Sequence, residues 1–183
     1  MRKYYHFLVA GILQLSFFSA FAQPANDECS SAIALTVNSG TVCTSTTAGT
    51  IAGATASSQA NSCFGTDDDD VWFSFVATAT AHKIELLNVT GSTTDLYHVV
   101  YGGTCGALGS SLVCSDPNNS VVSGLTIGNT YYIRVYSWTS TTGQTTSFNV
   151  CVSNLPPPPA NDECSTATAL TVNTGSCVIT TAG

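Results

Sequence analysis

The chain has 183 residues, of which 44% are hydrophobic and only 8% are charged, whereas roughly 25% of the residues in an average soluble domain are charged. Beyond residue 22, two strong bases, Lys83 and Arg134, stand against eleven acidic residues, which gives a formal net charge of −9. Such an acidic chain is a poor partner for nucleic acid or for an anionic membrane surface, because both attract basic proteins.

Residues 1–22 have the pattern of a secretory signal peptide. Arg2 and Lys3 supply positive charge, an apolar run follows at residues 7–18, and Ala20 and Ala22 fit a small-residue cleavage site. The apolar run is shorter than the roughly 20 residues that a membrane-spanning helix requires. The sequence therefore predicts cleavage after Ala22, no membrane span, and a protein that is secreted or displayed at the cell surface.

The next stretch, PANDECSSAIALTVNSG at residues 24–40, recurs as PANDECSTATALTVNTG at residues 159–175. After one deletion Cys43 aligns with Cys177, and TTAG at residues 46–49 matches TTAG at residues 180–183. Four consecutive prolines precede the second copy, and a polyproline stretch is a semi-rigid spacer. The sequence predicts a complete module at residues 23–153, a Pro-rich linker at 154–159 and the truncated start of a second copy at 160–183, which is too short to bury a core.

Within the first module, short apolar and β-branched runs alternate with turn residues, a pattern typical of an all-β sandwich. In VWFSFV and in YYIRVYSW, alternate residues fall on opposite faces of a strand. Strands are predicted at Ile33–Val37, Thr44–Thr55, Val71–Val76, Lys83–Val89, Leu96–Tyr101, Leu112–Cys114, Val121–Leu125, Tyr131–Tyr136 and Phe148–Val152. Turns are predicted at residues 91–92, 102–103, 116–119 and 128–129.

Four consecutive aspartates directly precede the strand at Val71. Adjacent carboxylates repel one another, and Ca²⁺ would relieve this by taking about six to eight oxygens from loop carboxylates and carbonyls. The alternative is a solvated acidic loop that keeps a strand edge from aggregating, and no EF-hand spacing is present. Calcium is the only cofactor that the sequence suggests. Its candidate ligands lie on two loops and are Asp67, Asp68, Asp69, Asp70, Asp116 and Asn118.

Aromatic residues recur along one face of the strand at Tyr131–Tyr136 and just beyond it. Flat aromatic rings can stack on sugar rings, and a neighbouring guanidinium can donate hydrogen bonds to sugar hydroxyls. The alternative is that these rings pack beneath a covering loop or form a second apolar face, because exposed aromatics indicate binding only as a contiguous patch. The candidate glycan-binding residues are Tyr132, Arg134, Tyr136 and Trp138.

The sequence gives little support for catalysis. His82 and His98 lie in predicted strands and Asp95 is near His98, but no GxSxG elbow and no HExxH helix occurs. Serines are so abundant that a Ser/His/Asp trio arises by chance. We therefore expect no enzyme activity and no catalytic residue.

Eight cysteines in an exported chain of this size indicate a disulfide framework. No Cys-x-x-Cys pair occurs, so a structural zinc site has little support. Cys105 and Cys114 flank a short glycine-rich stretch, and we expect them to pair across it; the alternative is that each pairs with a distant partner. Four others allow three pairings among which the sequence does not choose, and these are Cys29, Cys43, Cys63 and Cys151.

Four motifs together resemble a known kind of module. They are NDEC before an apolar strand, DDVWFSF, YGGTCGALGSSLVC and GLTIGNTYYIRVYSW. The set is similar to modules that are repeated in large bacterial secreted and surface proteins, and GLTIGNTYYIRV is similar to bacterial pre-peptidase C-terminal domains. The resemblance covers nearly all of residues 24–153 and implies a jelly-roll-like antiparallel β-sandwich without catalytic function. Many such proteins look like cargo of the type IX secretion pathway.

The sequence thus predicts a non-catalytic extracellular module of a tandem array, acting as an adhesive or spacer bead in a secreted or cell-surface protein. The alternative is a carbohydrate-binding module accessory to an enzyme domain that is not present in this chain. The expected partners are neighbouring modules of the same chain and extracellular polysaccharide or glycoprotein. The two hypotheses differ at the aromatic face, which a carbohydrate-binding module would present to solvent.

Overall fold

The computed structural model describes residues 22–170, 172 and 175. The predicted signal peptide therefore lies outside the described residues except for Ala22, as do Cys177 and the second TTAG. The described residues form ten strands and two single 3-10 turns, and no α-helix. The strands are β1 (Ile33–Ala34), β2 (Val37–Asn38), β3 (Thr47–Thr50), β4 (Val71–Val76), β5 (Ala81–Thr90), β6 (Leu96–Thr104), β7 (Ala107–Ser115), β8 (Asn119–Ser123), β9 (Thr130–Ser137) and β10 (Ser147–Asn154).

The strands form two packed sheets, which confirms the predicted all-β sandwich. The first sheet has the order β1-β4-β9-β6-β7, and the second has the order β2-β10-β5-β8 with β3 also paired to β10. Most pairs are antiparallel, but β1 lies parallel to β4 and β2 parallel to β10, so both sheets are mixed. The single strand expected at Ile33–Val37 is divided between the two sheets. Buried Leu35 lies at the crossing, where its N–H donates to the carbonyl of Ser74 at 2.7 Å.

The core lies between the sheets and follows the period-two pattern of the strands. Val71, Phe73 and Phe75 face this core, whereas Trp72 faces the outer surface of the first sheet. The glycine of the first TTAG motif has a packing role here. A Cβ on Gly49 would lie 2.7–2.9 Å from ring carbons of Phe73 and Phe148, closer than carbon atoms can approach. Glycine at this position therefore lets β3 lie directly against the aromatic core.

Several predicted boundaries differ from the structure, three of them because turns fall at other residues; β7 also begins at Ala107 rather than Leu112, and β8 at Asn119 rather than Val121. The strand expected at Thr44–Thr55 is limited to β3, since the chain turns at Ile51, whose carbonyl accepts the N–H of Ala54 at 3.0 Å. The turn expected at residues 102–103 lies inside β6, and the chain turns instead at Cys105. Strand β8 ends at Ser123 rather than at Leu125, because Gly124 adopts a φ of +75°.

Three disulfides join segments that are distant in the sequence: Cys29–Cys105, Cys43–Cys151 and Cys63–Cys114, with Cα separations of 5.5, 6.0 and 5.7 Å. The expected Cys105–Cys114 pair is wrong. The glycine-rich stretch between these cysteines is strand β7, and nine residues in a strand span roughly 30 Å, whereas a disulfide requires Cα atoms within about 7 Å. Of the other four cysteines, only Cys43 and Cys151 pair with each other.

The start of the second copy repeats the local structure of the first. The 3-10 turn Cys29–Ser31 recurs at Cys164–Thr166, and equivalent backbone hydrogen bonds recur with it. Ser31 N–H donates to Glu28 O at 2.8 Å, and Thr166 N–H donates to Glu163 O at 2.9 Å. Cys164 is exposed and has no disulfide partner among the described residues. The NDEC turn is therefore encoded locally, while the domain boundaries stay a prediction.

Candidate functional site

Residues 57–67, here called the covering segment, lie on the outer face of the first sheet. The covering segment buries a second cluster of aromatic side chains on that face. The Tyr136 hydroxyl donates a 2.6 Å hydrogen bond to the carbonyl of Phe64, and the Tyr101 hydroxyl accepts one from Ser62 at 3.4 Å. Tyr136 and Arg134 are completely buried, and burial raises the pKa of Tyr136 to about 12. The expected exposed glycan face over these two residues is therefore wrong, because a covering loop lies on it.

Arg134 fixes the covering segment to the sheet. Its Nε donates to Asp70 at 2.8 Å, its Nη2 lies 2.5 Å from Asp67, and its Nη1 donates to the carbonyl of Gln59 at 3.2 Å. Its guanidinium carbon lies 5.2 Å from the centre of the Trp72 ring. Desolvation opposes the charge, but the carboxylates of Asp70 and Asp67 outweigh it, so the pKa of Arg134 is raised. Arg134 therefore stays charged and holds the covering segment against the first sheet through these contacts.

Most carboxylates of the acidic loop already accept hydrogen bonds from donors within the protein. Asp70 is fully buried and accepts hydrogen bonds from Ser57 N, Ser57 Oγ, Trp72 Nε1 and Arg134 Nε, at 2.5–2.8 Å. Asp69 accepts from Ser137 N at 2.9 Å and Ser137 Oγ at 2.7 Å. Desolvation raises the pKa of Asp69, although the bonds from Ser137 lower it. These two carboxylates are therefore occupied by the fold itself.

Among the described residues, Asp116 does not join this loop in a cluster of three acidic, His or Cys ligand atoms. In the described part of the chain, the only group of three or more acidic, His or Cys ligand atoms within 4.8 Å of one another is Cys43, Glu85 and Cys151, and a disulfide joins its two sulfurs. Asp68 is different from its neighbours, because its Oδ1 is buried without a hydrogen-bond partner. It lines a partly open cavity of about 220 Å³ together with Asp69 and residues 141–144.

Trp138, just after β9, is the one candidate glycan-binding residue that the structure leaves largely open to solvent. Its side chain is 48% exposed, and one face of its ring stacks on Tyr97 with centroids 5.3 Å apart and planes at 28°. Tyr97 stacks in turn on Tyr136 at 5.9 Å. The backbone N–H of Trp138 donates to the backbone carbonyl of Asp95 at 3.1 Å. The ring is thus held in place by Tyr97, while about half of the residue's surface is open to solvent.

Two acidic residues and one exposed apolar residue lie near the Tyr97–Trp138 pair. Desolvation raises the pKa of Tyr97, and the negative charges of Asp116 and Asp95, which lie within electrostatic range of the Tyr97 hydroxyl, raise it further. Phe64 is 73% exposed and precedes Gly65, which lies against Trp138. We call Trp138, Tyr97, Asp95 and Asp116 the Trp138 surface. It combines a rigid aromatic face with carboxylate acceptors, the two groups that hold a sugar ring and its hydroxyls.

The other predicted residues lie elsewhere. Tyr132 is half-buried and lines a separate open cavity with Gly102 and Gly103. The sequence reasoning missed Tyr97, although its place in the alternating stretch LYHVVY puts it on the same face as Val99 and Tyr101. That signal identifies a second face but does not show which strand lies beside it.

Both strand histidines are buried. His98 Nε2 lies 2.6 Å from Ser120 Oγ, and burial lowers the pKa of His98 to about 4. His82 Nε2 accepts the N–H groups of Thr78 and Ala79 at 3.1 and 3.2 Å, and desolvation lowers its pKa. Neither ring lies on the Trp138 surface.

The chain belongs to a family described as galactose binding domain-like, which is associated with type IX secretion and matches residues 25–150. The match spans nearly the whole sandwich. No curated protein matches the chain. The association with type IX secretion and the three disulfides are both typical of proteins outside the cytoplasm. Among the described residues, no helix has the length and apolar character that crossing a membrane requires.

Proposed function

We propose that this galactose binding domain-like module is a non-catalytic extracellular carbohydrate-binding module, and that it holds a neutral glycan against the Trp138 surface. The observation that carries the proposal is the exposed Trp138 ring, which stacks on Tyr97, a residue within electrostatic range of the carboxylates of Asp95 and Asp116. An aromatic ring that is already immobilised loses little conformational entropy when a sugar stacks on it. The family description agrees with this ligand class.

The charge of the module limits the glycan to an uncharged one. The chain beyond residue 22 has a net charge of −9, and the only arginine in that part, Arg134, is buried in ion pairs. An anionic glycan would meet like charge at Asp95 and Asp116, which is unfavourable. A neutral sugar can instead donate its hydroxyl hydrogens to both carboxylates. We therefore assign neutral polysaccharide as the ligand class.

A second role, as an adhesive or spacer bead of a tandem array, is compatible with the first. It is supported by the repeated sequence and by the NDEC turn, which forms at residues 164–166 as it does at residues 29–31. Beads that each bind glycan weakly gain avidity when they are linked. The length of the protein that the source cell secretes, measured by mass spectrometry, tests the array.

A glycan array followed by calorimetry tests carbohydrate binding. The wild-type chain should bind neutral oligosaccharides, and Trp138→Ala should weaken binding by about 30-fold, because it removes roughly 2 kcal/mol of apolar contact. Ile127→Ala is the matched control, since Ile127 is also an exposed apolar residue, 61% exposed, but lies on the β8–β9 turn. If the wild-type chain bound no glycan, carbohydrate binding would be refuted and only the spacer role would remain. Equal losses in both variants would also contradict the proposed site.

A further inference from the structure

A second concave surface lies where the N-terminal segment meets β3, β5 and β10. It is a groove of about 550 Å³, which is within the usual range for small-ligand sites. No residue of the Trp138 surface lines it, and none of its lining residues is ionisable. Phe148, Ile33 and Pro24 contribute an apolar part, and the rest is amide, hydroxyl and small side chains. The groove is therefore suited to an uncharged ligand that has both apolar faces and hydroxyls.

Three polar side chains of this groove have hydrogen-bonding capacity to spare. Asn88 and Thr90 are exposed and Asn149 is half-buried. Their side chains make no hydrogen bond to any other residue that the structure describes. Each asparagine amide offers two donors and an acceptor, so a pair of them can bind adjacent hydroxyls of one sugar ring. A neighbouring hydroxyl, Ser147, completes a neutral polar rim.

The backbone at this rim has an unusual conformation, with a positive φ at Asn88 and a β-bulge in β5. Asn88 has a φ of +53° and is the only non-glycine residue with positive φ in the described part of the chain. Opposite it, Ser147 pairs with Thr90 but Asn149 pairs with Leu87, so β5 holds one residue more than β10 at this point. Such a β-bulge re-aims side chains and is common beside binding sites. The bulge places Asn88 and Thr90 on the same groove as Asn149.

We propose that this groove is a second glycan site, which binds a neutral sugar through the amides of Asn88 and Asn149. The inference deepens the proposed function and rests on it for the ligand class. The amides exchange hydrogen bonds with vicinal sugar hydroxyls, and the apolar part of the groove contacts the C–H face of the ring. With two sites on one module, a single bead holds two glycan segments, and this raises avidity without any new contact between modules.

Side-chain amide signals in ¹⁵N NMR spectra test this site directly. The full chain is expressed by secretion into an oxidising compartment, so that its disulfides form, and is then purified. It is titrated with galactose, xylohexaose, mannohexaose and cellohexaose, each to 10 mM, which is roughly tenfold above a millimolar Kd. Asn88→Gly assigns one amide and keeps the backbone favourable, because glycine accepts positive φ. Asn149→Ser assigns the other. Asn119→Ala, an exposed asparagine on β8 outside the groove, is the control.

The titration is repeated in Trp138→Ala, which separates the two sites. The Asn88 and Asn149 amides should shift saturably in that variant, and Asn88→Gly or Asn149→Ser should each weaken this binding at least tenfold, while Asn119→Ala leaves it unchanged. Amide signals that stay still with all four sugars, or that shift only when Trp138 is present, would overturn the second site. In that case the proposed binding at Trp138 would still stand. If, in the wild-type chain, the Asn88 and Asn149 amide signals shifted but the Trp138 indole signal did not, the proposed function at the Trp138 surface would be overturned instead.

Discussion

Replacing Asp70 with Asn should destabilise the module far more than its small change in shape suggests. The Asp70 carboxylate is fully buried and faces only donors, from Ser57, Trp72 and Arg134. In either orientation an Asn amide turns its NH₂ group towards at least one of these N–H donors. Arg134 also loses one of its two ion-pair partners in a buried setting. Breaking a buried pair in this way costs about 3–5 kcal/mol of unfolding free energy.

For roughly 130 ordered residues, a loss of this size lowers Tm by about 10–20 °C. Urea and thermal unfolding, followed by circular dichroism without reductant, measure it. Lys83→Ala is the matched control, because it removes the Lys83–Glu85 ion pair of 2.7 Å, in which the Lys83 side chain is 39% exposed. That surface pair should contribute less than about 1 kcal/mol. If Asp70→Asn cost no more than Lys83→Ala, Arg134 and Asp70 would not be what holds the covering segment in place.

Three further predictions concern pH, calcium and the chain end. The pKa of His98 is lowered to about 4 from its ordinary value of 6.5, so the unfolded chain binds its proton first and stability should fall by up to roughly 3 kcal/mol as pH drops from about 6.5 to 4. His98→Gln should flatten the unfolding free energy across that window, and an unchanged slope would contradict the assignment. Because Asp69 and Asp70 already accept hydrogen bonds from protein donors, millimolar CaCl₂ should raise the Tm of the metal-stripped chain no more than MgCl₂ does at matched ionic strength. A rise of about 3–6 °C that CaCl₂ alone gives, and that Asp68→Asn abolishes, would show instead that the acidic loop binds calcium. Removing residues 156–183 should change Tm by less than about 3 °C, because β10 ends at Asn154 and residues 156–170 are exposed; a larger drop would argue against an autonomous module.

Features set by neighbouring residues could be predicted from the sequence. Strand β4 occupies the predicted residues Val71–Val76, because its apolar alternation requires one face in the core and one outside. The NDEC turn forms twice, at Cys29–Ser31 and at Cys164–Thr166, although only the first packs on a sandwich. Periodicity and short-range hydrogen bonds are sufficient in both cases.

Features that depend on contacts between residues distant in the sequence could not be predicted from it. Arg134 lies in a strand whose pattern reveals two faces, but the segment that covers one of them is more than 60 residues away, starting at Ser57. The disulfides follow the same rule, because their sequence separations are 76, 108 and 51 residues. Tyr97 reaches Trp138 because β6 pairs with β9 and sets Tyr97 opposite Tyr136. Strand order, which the sequence does not specify, thus determined which aromatic stayed exposed.

Acrylamide quenching of tryptophan fluorescence tests the central claim most directly, because the chain has two tryptophans in opposite environments. Trp72 is fully buried, whereas Trp138 is 48% exposed. In the free protein the quencher should reach Trp138 alone, and a saturating neutral oligosaccharide identified on the array should protect it. Trp138→Phe should leave a weakly quenched signal from Trp72 that the sugar does not change. Quenching that is the same with and without bound sugar would contradict the assignment of Trp138 as the glycan-binding face.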